Sequence, residues 1–274
     1  MNCIGFTCGD CIGFPMEFAQ PQKFINYVPF SQGSHFTDDT VMTIAVMQWL
    51  IDGDLSHEAL VKQMVHFGNK YQYAGYGNNF YLWLQGDNGY QPYNSWGNGS
   101  AMRVSPIGWF FDTEEDVLNY AKISAEVTHN HPEGIKGAQA VAMGVFMARK
   151  DYSKEEIRVY IEGQFGYDLH RTIEGIRPIY NGFHVSCQKS VPESIIAFLD
   201  ANSTKEAIQL AISLGSDSDT QADMAGAIAE AFYHDADELF QQTITQPDGE
   251  YPDEFVEIIK KFNEKLEEKN KIII

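Results

Sequence analysis

Two short acidic motifs near opposite ends of the chain carry the residues best suited to chemistry. The first is F-T-D-D-T-V-M-T, with Thr37, Asp38, Asp39 and Thr40. The second is G-S-D-S-D-T-Q-A-D-M-A-G-A, with Asp217, Asp219 and Thr220. Adjacent carboxylates repel one another, so a fold that gathers four of them needs a cation between them. Hard oxygen ligands of this kind suit Mg²⁺, Mn²⁺ or Ca²⁺. Each motif alone has a plainer account, because Thr or Asp at a helix start accepts first-turn N–H bonds. The second motif also lacks the length and downstream Glu of a calcium helix-loop-helix loop. Together the two motifs point to metal, and two divalent ions bridged by a water would use the carboxylates well.

Other segments offer supporting chemistry. Gly5 to Glu17 reads G-F-T-C-G-D-C-I-G-F-P-M-E. Its glycines permit close backbone approach or close helix packing. With no strand before it, this is not a dinucleotide-binding fingerprint. Asp10 is a candidate outer partner of a metal ligand. Glu17 is either a solvated loop acid or a group that orients substrate or handles a proton. Trp96 to Arg103, W-G-N-G-S-A-M-R, fits a nest of N–H groups for an oxyanion or phosphate, with Ser100 as a further donor, or a tight turn entering a helix. His129 and His131 lie two apart, but nothing completes a zinc set around them. One is expected to hold a phosphate or hydroxyl, the other to make a structural bond. Cys8 and Cys11 form C-x-x-C without a second pair, and all four cysteines, with Cys3 and Cys187, are expected to be buried and reduced.

Helices must position these groups. Apolar spacing predicts helices over Asp39–Ile51, from Ser56 onward, over Thr113–Ile123, Ile135–Met147, Ser153–Gln164, Tyr167–Glu174, Pro192–Asp200, Lys205–Ser213, Asp219–Tyr233 and Asp253–Glu264. Ile135–Met147, rich in Ala and Gly, should pack closely against other helices, and the small-residue helix Asp219–Tyr233 should lie in the interior. Gly182–Cys187 reads as an isolated extended piece, and the Tyr- and Gly-rich stretch from Gly68 to Gly99 as a functional loop or lid. No repeat or composition shift divides the chain. One all-α domain spanning 1–274 is expected, since the two acidic motifs must meet.

The 274 residues are 44% apolar, enough for a sizeable core, and carry a formal charge of -19. That charge opposes nonspecific nucleic-acid binding, which needs a basic footprint. It leaves room for a polyphosphate held through metal and N–H groups. No secretory signal or membrane-length apolar run is visible, so a cytoplasmic protein without a membrane partner is expected.

In order, G-x-x-x-G-D-x-x-G-x-P-x-E at Gly5–Glu17, T-D-D-T at Thr37–Thr40, G-N-G-S-A-M-R at Gly97–Arg103, H-N-H-P at His129–Pro132 and G-S-D-S-D-T-x-A-x-x-A-G-A at Gly215–Ala227 resemble the ADP-ribosylglycohydrolase family, also called the dinitrogenase-reductase-activating glycohydrolase-like family. The resemblance implies an orthogonal all-helical domain with two Mg²⁺ or Mn²⁺ ions in a central cleft. It implies metal ligation by Thr37, Asp38, Asp39, Asp217, Asp219 and Thr220. Asn98, Gly99 and Ser100 would line a diphosphate site with His131 near the ligand, and Glu17 would sit on a flap closing over the substrate. Asp38, Asp39, Glu17 and Asp219 are the candidate catalytic residues. The implied activity is hydrolysis of the bond between ADP-ribose and a modified protein side chain, arginine first, with serine, acetyl or nucleobase conjugates as alternatives. A toxin-neutralising protein that binds a cognate ADP-ribosylating toxin is the non-enzymatic alternative. The final motif departs from the family's usual G-G-D at Ser216.

Overall fold

The computed structural model describes residues 2–18, 33–245 and 251–272; the remainder of the expected 1–274 domain lies outside the described residues. The described chain is helical throughout, with no strand and one isolated bridge between Gly97 and Ser186. The helices are α1 (Gly5–Gly13), α2 (Asp38–Asp52), α3 (His57–Lys70), α4 (Asn78–Leu84), α5 (Gly99–Met102), α6 (Ser105–Phe110), α7 (Glu114–Glu126) and α8 (Pro132–Arg149). They continue as α9 (Lys154–Phe165), α10 (Ile173–Ile176), α11 (Cys187–Asp200), α12 (Thr204–Ile212), α13 (Ser218–Tyr233), α14 (Asp237–Ile244) and α15 (Asp253–Ile272). Their buried apolar side chains join in one cluster that runs from Cys3 to Leu266. No described helix is long and apolar enough to cross a membrane.

Capping explains most helix starts. Thr37, Ser56, Thr113 and Ser153 each accept an N–H bond at the entrance of α2, α3, α7 and α9, and Ser153 with Glu156 forms a full capping box. Three expectations change. Tyr167–Glu174 does not form a helix; only α10 is helical there, entered through the Thr172 cap. Leu169 is instead held by its N–H on the Glu162 carboxylate. The Gly68–Gly99 stretch is not structureless, because α3 runs on to Lys70 and Phe80, Trp83 and Leu84 bury one side of α4. Pro192 lies inside α11, which begins at Cys187, earlier than the proline suggests.

The glycines of the first segment set the fold's tightest crossing. Gly5, Gly9 and Gly13 recur every four residues, so they share one face of α1. That face lies directly on α13, running antiparallel to it. A Cβ at Gly5 would sit 2.2 Å from the Gly226 carbonyl oxygen, one at Gly9 2.1 Å from the Ala222 carbonyl oxygen, and one at Gly13 2.6 Å from the Asp219 Cα. The backbones therefore touch, which brings Asp10 of α1 against the first turn of α13. Gly9→Ala is expected to force the helices apart and cost about 3 kcal/mol, the upper range for overpacking. Urea unfolding of the purified variant checks it, and an unchanged midpoint would contradict this crossing.

Candidate active site

Three helix ends converge on one cavity. α2 and α13 arrive by their N-termini, which present Asp38 and Asp39 in one first turn and Asp219 in the other. Helix N-termini carry partial positive charge, which eases the crowding of acids there. α1 brings Asp10 from the third side. The cavity, about 470 Å³, is lined by Thr37, Asp38, Asp39, Asp217, Asp219 and Thr220. All six residues assigned as ligands thus face one space.

Carboxylate oxygens of Asp10, Asp39 and Asp219 lie within 4.8 Å of one another, and so do those of Glu17, Asp217 and Asp219. Asp219 belongs to both sets. Thr37 donates its hydroxyl to Asp10 at 2.8 Å and approaches Asp39 at 3.1 Å, while Thr220 donates to Asp39 at 3.3 Å. The buried Asp39 Oδ1 has no hydrogen-bond partner. A buried carboxylate oxygen left bare is costly, so an unpartnered acceptor amid other acids fits a cation. Burial, then Asp219, pushes the Asp39 carboxyl well above the usual range; burial, then Asp217, does the same to Asp219. Burial and then Asp10 raise Asp38. Burial, with Asp217 and Asp10 behind it, lifts Glu17 to about 7.

Part of the cavity wall carries no carboxylate. Asn98, Gly99, Arg103 and His129 line it. Arg103 is buried and donates to the Gly99 carbonyl at 2.9 Å, the Ser124 carbonyl at 2.8 Å and the Thr128 hydroxyl at 2.9 Å. Its charge has no carboxylate bonded to it among these contacts. Burial, then Arg103, holds His129 well below its usual value and therefore neutral, with Nδ1 2.7 Å from the Thr128 hydroxyl. The cavity thus combines carboxylate oxygens with a buried cation and a neutral imidazole.

The ADP-ribosylglycohydrolase family model matches residues 3–237. The chain belongs to the ADP-ribosylglycohydrolase family. It is 27% identical to the ADP-ribosylhydrolase ARH3 of Mus musculus over 313 residues, covering 85% of this chain and 83% of that one. It is 26% identical to the ADP-ribosylarginine hydrolase Tri1 of Pseudomonas putida, covering 84% of this chain and 69% of that one. In structure it resembles a chain of an ADP-ribosylglycohydrolase-related protein complex, with TM-score 0.75 and 19% identity over 96% of this chain and 95% of that chain, a likeness of fold.

Within this glycohydrolase fold the expected substrate residues divide. Glu17 is half-buried and faces the cavity, as do Asn98 and Gly99. The Asn98 amide donates to Asp217 at 2.6 Å. The Ser100 hydroxyl is turned away, donating to the Gly134 carbonyl at 2.8 Å, so it ties α5 to α8. His129 lines the wall where His131 was expected; the His131 ring instead accepts the Glu133 N–H at 3.1 Å and caps α8. The four cysteines are free and buried. Asp38 lines the cavity but stands outside both acid triads. Asp223 is a buried acid that sequence reading passed over. It lies four residues after Asp219 on α13 and neither oxygen has a partner; the i, i+4 spacing was the available signal.

Acid crowding has a pH signature. Asp38, Asp39, Asp217 and Asp219 all have carboxyls raised in the fold. A raised folded value means the folded state holds more protons than the unfolded chain above about pH 4, so these groups lose stability as pH rises. Cations oppose that loss by neutralising the carboxylates. The rise in unfolding temperature on adding Mn²⁺ to EDTA-treated protein is therefore expected to grow from pH 5 to pH 8. A rise that stayed constant across this range would contradict the acid cluster as the binding site.

Proposed function

We propose that this chain hydrolyses the glycosidic bond joining ADP-ribose to a modified side chain, with two divalent cations, Mg²⁺ or Mn²⁺, at the acid cluster. The observation that carries this reading is that one cavity is lined by both Asp motifs together with Asn98, Gly99 and Arg103. Thr37, Asp38, Asp39, Asp217, Asp219 and Thr220 would hold the cations. When bound, these supply Lewis-acid activation of a water and of the ribose hydroxyls. The bare Asp39 Oδ1 and the two acid triads fit that role.

The protein's own residues do the rest. Arg103, beside Gly99, balances the diphosphate charge and fixes the distance from that anchor to the acid cluster. The neutral His129 can donate or accept one hydrogen bond at that wall without adding charge. At the acid cluster, the bond from the anomeric carbon to the leaving atom breaks, and a water oxygen takes its place. Positive charge builds on the sugar as the bond stretches, and the surrounding carboxylates stabilise it. Glu17, half-buried and raised to about 7, is the cavity acid placed to hold or pass the proton that must travel from water to leaving group.

Arginine-linked ADP-ribose is the first substrate to test, since a relative of comparable identity is named an ADP-ribosylarginine hydrolase. One observation favours a second reading, an uncharged linkage such as serine or acetyl. Of the acids on the cavity wall, Glu17, Asp39, Asp217 and Asp219 belong to the two triads, which leaves Asp38 alone among the described lining acids to face a guanidinium. Release of free ADP-ribose from arginine-, serine-, acetyl- and nucleobase-linked conjugates, with Mg²⁺, Mn²⁺ or EDTA, decides between them. If no conjugate is cleaved with either metal, the hydrolase reading fails.

A further inference from the structure

We propose that the segment from Phe183 to Cys187, pinned by Ser216, is a strap that holds Glu17, the Asp217 turn and the Asn98 segment in register, with Ser216 and Phe183 as positioning residues. Its bearing on ligand rests on the ADP-ribose reading above; its structural content does not.

Ser216 stands where the resembling family usually has glycine, and its backbone explains that preference. Its φ is +68°, a left-handed conformation that costs a side-chain-bearing residue free energy and glycine almost none. The side chain tolerated there has a defined task. The Ser216 hydroxyl is buried and accepts the His184 N–H at 2.7 Å. The Ser216 carbonyl accepts the Phe18 N–H at 2.9 Å, next to Glu17. One residue thus bonds the strap through its side chain and the Glu17 arm through its backbone, directly before Asp217.

Two further contacts close the circuit. The Phe18 and Phe183 rings stack, with centroids 4.6 Å apart and planes at 25°, although both rings are substantially exposed. Phe18 itself has φ +65°, so the arm is held in a conformation that it would not adopt freely. Beyond His184, the Val185 carbonyl accepts the Asn98 N–H at 2.8 Å, and the Cys187 N–H donates to Trp96 at 3.0 Å. The Asn98 amide returns to Asp217 at 2.6 Å. Phe18, Phe183 and Val185 all face the cavity, so the strap also forms part of its mouth. A bare link between helices α10 and α11 needs none of these bonds. Their common effect is to fix the spacing between the acid cluster and the Asn98 segment, which one substrate must span.

Ser216→Gly removes the hydroxymethyl group, and with it the His184 bond, and relaxes the backbone; Phe183→Ala removes the stack, and Phe183→Tyr keeps a ring in place. In the full chain with Mn²⁺, hydrogen exchange is expected to accelerate in Ser216→Gly and Phe183→Ala not only at 182–187 but also at the Phe18 and Asn98 amides. Phe183→Tyr should retain wild-type protection. Calorimetric titration with ADP-ribose should show affinity weakened on the order of fivefold, the effect of one hydrogen bond. The unfolding temperature of Ser216→Gly should be unchanged or higher. Faster exchange confined to 182–187, with Phe18 and Asn98 protected as in wild type, would overturn the strap. Wild-type protein that binds no ADP-ribose would remove the proposed function, while the exchange pattern would still decide the strap.

Discussion

Asp219→Ala is expected to lower ADP-ribose release at least about a thousandfold, beyond the 10–100-fold typical of losing an outer partner of a metal ligand. It should also abolish the Mn²⁺-dependent rise in unfolding temperature. Asp219 is the one acid common to the Asp10–Asp39–Asp219 and Glu17–Asp217–Asp219 sets. Removing it takes an oxygen from both sets, whereas removing Asp217 takes one from a single set. Without metal the sign reverses. The Asp219 carboxyl is raised by burial and then by Asp217, so the metal-free fold is strained by its charge at neutral pH. In EDTA at pH 8, Asp219→Ala is therefore expected to unfold at a higher temperature than wild type. A variant that is inactive, more stable without metal and indifferent to Mn²⁺ is the pattern of a lost ligand. Retention of the Mn²⁺ shift would falsify the assignment of Asp219.

The two Asp motifs were legible because each combines a chemical type with a helix start. T-D-D-T opens α2 and S-D-T opens α13, so the acids sit in first turns, where backbone and charge both place them. The close packing of α8 and the interior position of α13 were legible from their small residues. What escaped was settled by contacts between distant segments. Gly5, Gly9 and Gly13 signalled close packing, but nothing local says that their partner is α13 or that the segment is itself a helix. Glycine carries low helix propensity, and tertiary contact overrides it here. His129 and His131 are both imidazoles beside Pro132. Only the path of the chain makes one a wall of the cavity and the other a cap of α8. Ser100 looked like a phosphate donor by type, yet its hydroxyl is bonded to Gly134 across thirty-four positions of sequence. Asp10 was legible as an acid of interest, though not the number of bonds it accepts.

Asp10→Ala should produce the opposite stability sign from Asp219→Ala, although both remove a buried acid of the same cluster. Asp10 accepts the Thr37 N–H at 2.8 Å, the Thr40 N–H at 3.1 Å and both threonine hydroxyls. Thr37 is the N-cap of α2, and Thr40 lies in its first turn. Asp10 therefore serves from α1 as a second cap for α2, satisfying N–H groups that a helix start leaves without partners. Those bonds offset the burial that raises its carboxyl. Alanine would leave two buried backbone donors and two hydroxyls to find new partners, at about 1–3 kcal/mol for each group left bare. Relief of repulsion with the neighbouring acids returns part of this. The net expectation is a loss of about 3 kcal/mol in EDTA, measured by denaturant unfolding, where Asp219→Ala gains. Metal affinity should fall too, by about 10–100-fold, because Thr37 and Asp39 lose the anchor that aims them. Asp10→Asn keeps the shape but turns an amide donor toward other donors, so it should fall between wild type and alanine. If Asp10→Ala proved as stable as wild type without metal, Asp10 would be one more crowded acid of the cluster and not the cap that joins α1 to α2.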